Sequence, residues 1–157
     1  MKLRFCIVLL WCLGLFICIN TENFGVMWRQ HIVQFQWNSH PDMSELLKLD
    51  DFSYYNKPLY LIQKIGHISG FFVLTLLAAA GARTPRAFWK GVAFAAGYAV
   101  LTELLQPFFG RNGRVADMFI DGAGITIAAY IAYRFSRGRW HSARRNRRYY
   151  DSTWAGR

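Results

Sequence analysis

Acidic residues are scarce in this chain of 157 residues: 9 Asp and Glu stand against 19 Lys and Arg, giving a formal charge of +10, and charged residues of both signs make up only 18%. With 54% hydrophobic and 17% aromatic residues beside them, this balance excludes a disordered tail and a ribosomal-type basic protein. Cysteine is limited to Cys6, Cys12 and Cys18, all inside one apolar run, where they read as buried fillers rather than disulfides or metal ligands. There is no HExxH zinc motif and no Gly-x-Ser-x-Gly elbow, and Ser69 follows His67 by two residues, too close to face it across a helix turn. Uncharged stretches of membrane-spanning length recur instead, so the expected class is an all-α polytopic membrane bundle.

Four spans are expected. The first, residues 5–21, is 17 uncharged residues, about 25 Å as a helix. Lys2 and Arg4 before it suit a signal peptide, but no small-x-small cleavage site follows Cys18-Ile19-Asn20-Thr21, and Ile17 sits where a lipoprotein needs a small residue. Residues 1–21 are therefore expected to remain as an uncleaved anchor. Residues 22–58 form a connection with five acids (Glu22, Asp42, Glu45, Asp50, Asp51) and three bases (Arg29, Lys48, Lys57), including a short surface helix at 43–49. Trp28, Trp37, Tyr54, Tyr55 and Tyr60 suit an interfacial aromatic belt. Further spans are expected at about 59–82, 88–109 and 115–134, followed by an arginine-rich tail, 135–157. The basic clusters at the amino terminus, after the second span and in the tail make both termini cytoplasmic and the 22–58 connection extracytoplasmic. Attraction to anionic lipid accounts for the tail without nucleic acid.

Ionisable residues inside spans are costly, about 2.5 to 3.5 kcal/mol each at the bilayer centre, so their positions need a reason. Counted from the outer helix ends, Asp117 lies about 3 Å in, Glu103 and Asp121 about 9 Å and His67 about 12 Å, a shared depth. Asp117, Asp121 and Gly124 share one stripe of the fourth span, and Glu103 and Gln106 one stripe of the third. Gly66 and Gly70 give a small-xxx-small spacing beside His67 for close helix packing. The turn Gln106–Arg114, broken by Pro107, Gly110 and Gly113, holds Arg111 and Arg114 over the acids. An arginine pair there is either a structural counter-ion set for Glu103, Asp117 or Asp121, or an anion site, and its fork geometry suits phosphate or carboxylate.

The combination of His67, Thr102-Glu103-Leu104-Leu105-Gln106, Arg111 or Arg114, Asp117 and Asp121-Gly122-Ala123-Gly124 resembles the VanZ-like family of small bacterial membrane proteins, over about residues 60–134. Asp121 stands where that family more often has Asn. The resemblance implies a multi-pass protein of the bacterial cytoplasmic membrane, in a family whose namesake is associated with low-level resistance to the glycopeptide teicoplanin.

Two functions are carried forward. The first is an envelope protein whose outer-leaflet pocket (His67, Glu103, Gln106, Arg111, Arg114, Asp117, Asp121) binds an anionic lipid or lipid-linked group. The second is a membrane enzyme acting on a lipid-linked phosphate or ester through Glu103, Asp117 and His67. Whether a reaction is catalysed stays open, and no catalytic residue is assigned. No cofactor or metal is expected; the expected partners are membrane lipids and further copies of the chain.

Overall fold

The computed structural model describes residues 2–48 and 57–154, except the side chains of Lys2, Glu45 and 143–154. Asp50, Asp51, Tyr54, Tyr55 and Arg157 lie outside the described residues, as do the side chains of Arg144, Arg145, Arg147 and Arg148. The chain is 79% helix, with no strand among the described residues. Among the described residues five helices form in order: α1 (Lys2–Asn20), α2 (Phe24–Gln30), α3 (Pro58–Ala79), α4 (Pro85–Leu105) and α5 (Val115–Trp154). Short 3₁₀ turns cover Met43–Leu47, shorter than the surface helix expected there, and Gln106–Phe109. Among the described residues four stretches are long and apolar enough to cross a membrane: Leu3–Asn20, Pro58–Ala79, Pro85–Phe109 and Val115–Ser142.

Local chemistry sets the boundaries. Proline at the first helical position opens α3 at Pro58 and α4 at Pro85, where a missing N–H costs no intrahelical bond. The Thr84 hydroxyl caps α4 by accepting from the Ala87 N–H at 3.2 Å, which starts this span three residues before the expected Phe88. In α2 the Asn23 side chain accepts from the Val26 N–H at 3.0 Å.

Helix α5 extends well beyond the expected end at residue 134, because its next two turns have something to dock on. Trp140 donates its indole N–H to the Ala82 carbonyl at 3.0 Å and packs against Phe88 and Tyr133, with ring centroids 5.6 and 5.8 Å away. Arg139 also reaches the α3–α4 turn, at the Ala80 carbonyl. Arg4 donates to the Leu77 carbonyl at 2.8 Å, so α1 begins at this same end of the bundle.

The core is organised around α3, which packs most extensively on α5, then on α4, with α1 against α3 and α4. Phe71, Leu74, Phe88, Ala95 and Ala128 are fully buried, yet so are Asn20, Thr21, Thr75, Thr102, Glu103, Asp121 and Ser136. Large apolar side chains face outwards instead: Leu3, Phe119 and Phe135 are each about three-quarters exposed. Polar groups inside and apolar groups outside are what a hydrocarbon solvent selects, since there unpaired polar groups cost several kcal/mol and outward leucines cost nothing.

Candidate functional site

The buried acids and His67 of the spans converge at the end of the bundle opposite the α3–α4 turn. Glycine makes that convergence sterically feasible. A Cβ at Gly124 would collide with the Ile68 carbonyl, so α5 crosses α3 with backbones in contact just below His67. A Cβ at Gly70 would strike the Leu15 side chain of α1, but Gly66 faces open space. The expected Gly66–Gly70 packing pair is therefore corrected: close approach uses Gly70 and Gly124, and Gly66 takes no part.

The α4–α5 turn is built on the same principle. Gly110, at φ 69°, closes the 3₁₀ turn with its N–H on the Gln106 carbonyl. Gly113 passes so close to the end of α4 that a Cβ would meet the Glu103 carbonyl. This approach lets the Arg114 backbone N–H donate to Glu103 Oε2 at 3.0 Å, while Gln106 Nε2 donates to Glu103 Oε1 at 3.0 Å. Glu103 is thus fixed through both oxygens.

Below the turn, His67 Nδ1 lies 3.0 Å from Asp121 Oδ1 and 3.7 Å from Glu103 Oε1, all three residues being almost completely buried. Three helices each contribute one member. The second oxygen of Asp121 is buried with no hydrogen-bond partner among the described residues. Asp117, in the first turn of α5 where the helix dipole favours an acid, pairs with Lys64 of α3. Lys64 also lies over the Tyr60 ring, 4.8 Å from its centroid.

Of the seven residues expected to share a pocket, the structure places His67, Glu103, Gln106 and Asp121 in one buried contact group, with Arg114 joined to it through its backbone. Asp117 and Arg111 lie at its mouth. Arg111 donates to the Thr21 carbonyl at 3.1 Å, tying the turn to the end of α1. Burial pushes the Arg111 guanidinium below its ordinary value, and the negative charges of Glu103 and Asp117 pull it back up. Sequence reasoning missed Lys64 as the partner of Asp117, although Lys64 and His67, three residues apart, sit on one helical face. Ser69 bonds to the Ile65 carbonyl of its own helix at 2.7 Å and does not meet His67.

Above this group opens a cavity of about 560 Å³. Lys57, Lys64, Arg111 and Arg114 line it, against Glu22 and Asp117. Phe24 and Gln63 belong both to this cavity and to a neighbouring groove of about 750 Å³ between α1, α2 and α3, walled by Trp11, Leu15, Trp28, Ile62 and Val73. The 22–58 connection shapes the cavity rim. The Glu22 N–H donates to the Gln34 carbonyl at 2.8 Å, the Asn38 N–H to the Phe108 carbonyl at 2.8 Å, and Trp37 packs on Phe109 with centroids 5.6 Å apart. Trp37 packs on the turn and Trp28 on Phe24, and both indoles stay more than half exposed.

No solved structure matches the chain. A membrane protein of Bacillus subtilis (strain 168) described as uncharacterized, YwnJ, is 40% identical over 117 residues, covering 74% of this chain and 81% of its own length. The profile of the VanZ/LLP1 family matches residues 5–136, which takes in α1 and the 22–58 connection as well as the three helices that carry the buried polar group. The chain is a membrane protein and belongs to the VanZ/LLP1 family.

Proposed function

We propose that this protein binds an anionic lipid headgroup, or a lipid-linked anion, in the basic cavity at the α4–α5 turn, with the lipid chain in the adjoining apolar groove. The observation that carries this reading is that the two spaces share a wall: four basic residues against two acidic ones line the first, and Phe24 and Gln63 line both it and the apolar second. That is the polarity profile of a lipid, and the excess of bases favours a negative headgroup. On this reading the protein lies in the bacterial cytoplasmic membrane with both termini in the cytoplasm, the cavity opening at the outer leaflet. Arg4, Arg83 and Lys90, grouped at the opposite end, then face inwards, as positive-inside bias demands. A contribution to glycopeptide tolerance, the family association, would pass through the same headgroup site. The test is native mass spectrometry of co-purified lipids. Anionic lipid enriched over the bulk membrane in the wild type and depleted in Arg114→Ala is the expected result, and identical lipid profiles would overturn the reading.

A second reading, an enzyme acting on a lipid-linked phosphate or ester, is favoured by the contact of His67 with Asp121 and Glu103 beneath that cavity, an acid/base arrangement. Turnover of a lipid phosphate or ester by purified protein, abolished in His67→Ala, would support it. Absence of any product would remove it.

A further inference from the structure

We infer that His67, Glu103 and Asp121 form a buried binding site for one divalent transition-metal ion. Each residue offers a ligand atom, one imidazole nitrogen and two carboxylate oxygens, and these atoms all lie within 4.8 Å of one another. Metal bonds of about 2.0 to 2.2 Å place neighbouring ligand atoms about 3.0 to 3.6 Å apart. The His67 Nδ1 separations of 3.0 Å from Asp121 and 3.7 Å from Glu103 nearly match that spacing.

An independent observation points the same way. Asp121 is fully buried, yet its Oδ2 has no hydrogen-bond partner among the described residues. A carboxylate oxygen at that depth is costly unless something positive or protic meets it, and a cation held by the Asp121 carboxylate would do so. Charge supports the assignment: two carboxylates and a neutral imidazole carry −2, which a divalent ion cancels without importing a counter-ion into the bundle. The ligands are also oriented from outside. Gln106 Nε2 and the Arg114 N–H each donate to one oxygen of Glu103, leaving a lone pair on both for metal.

The donor set selects the ion. One imidazole with two carboxylates, and no thiolate, suits Zn²⁺, Mn²⁺ or Fe²⁺; an all-oxygen shell would be needed for Mg²⁺ or Ca²⁺. Three protein ligands leave a coordination position for water or a ligand oxygen. The ligands come from α3, α4 and α5, so no local spacing in the sequence announces them, and the sequence-based expectation of no metal reflects that scatter.

The site does not depend on the anion cavity, and the experiment keeps the two apart. The full-length protein is purified in detergent from cells grown with added Zn²⁺ or Mn²⁺, and its metal is measured by inductively coupled plasma mass spectrometry. Melting curves are recorded after chelation and after Zn²⁺, Mn²⁺ or Mg²⁺ is restored. About one transition metal per chain is expected in the wild type and in Arg111→Gln, which alters the cavity and the tie to Thr21 but none of the three ligands, and background levels in H67A and D121N. In the chelated wild type, Zn²⁺ or Mn²⁺ should raise the melting temperature and Mg²⁺ should not. This wild-type measurement decides the matter even where a variant fails to fold. A folded wild type that holds background metal and melts identically with and without each ion would overturn the site, as would unchanged metal content in folded H67A and D121N.

Discussion

Gly124→Ala places one methyl group where α5 touches the backbone of α3, and its cost can be reasoned from the contact itself. The new Cβ would run into the Ile68 carbonyl, a backbone atom that cannot swing aside as the end of a flexible side chain can. To restore ordinary van der Waals separation the two helices must part by roughly 1 Å, loosening the largest interface in the bundle. Overpacking of this kind costs about 1 to 3 kcal/mol, against a helix-propensity gain of Ala over Gly of at most about 1 kcal/mol. The net expectation is a loss of up to about 3 kcal/mol. Gly66→Ala provides the matched control on the facing helix: nothing lies within 4 Å of its added Cβ, so it should be neutral or slightly stabilising. Reversible unfolding in mixed detergent micelles, followed by helical circular dichroism, reads both variants on one scale. Equal stability of the two, or a Gly66→Ala loss exceeding that of Gly124→Ala, would refute the assignment of the close approach to Gly124.

Other changes probe other joints of the structure. Lys64→Met strands Asp117, whose side chain is 4% exposed, and should cost about 3 to 5 kcal/mol in the unfolding assay; adding Asp117→Asn should recover much of it, and additive losses would deny the pair. Trp140→Ala removes a 7% exposed ring and its bond to Ala82, for an expected loss of about 3 to 5 kcal/mol, whereas an indifferent protein would mean that α5 does not dock beyond residue 134. Reporter fusions after Ser44 and after Ser142 should signal outside and inside respectively, and either signal reversed would contradict the orientation proposed from basic-residue bias.

Legibility in the sequence followed the range of the interactions. The four spans were readable because each is a local property of one continuous stretch, and the depth shared by His67, Glu103, Asp117 and Asp121 followed from helical rise alone. Their faces were readable too, since Glu103 and Gln106, or Asp117 and Asp121, repeat at helical spacing. Partner choice was not. Arg111 and Arg114 were the evident neighbours of the acids by proximity in sequence, and both lie beside them, but Lys64 also reaches Asp117 from another helix, and it is the backbone N–H of Arg114 that meets Glu103. Gly66 and Gly70 fit the same spacing motif equally well, and only the rotation of α3 against its neighbours separates them. The continuation of α5 was hidden for a similar reason: the arginine-rich composition after Arg134 reads as tail, while Trp140 finds a carbonyl on a turn 58 residues earlier.

The central claim, an anionic headgroup in the cavity lined by Lys57, Lys64, Arg111 and Arg114, is tested most directly by equilibrium binding of a fluorescent phosphatidylglycerol analogue to the detergent-solubilised protein, beside a phosphatidylcholine analogue with the same chains. Tighter binding of the anionic lipid is expected, weakening as salt is raised, with an affinity lower by about 1.5 to 3 kcal/mol, an order of magnitude or more, in Arg114→Ala. Equal affinity for the two lipids, or an isotherm unmoved by Arg114→Ala, would contradict it.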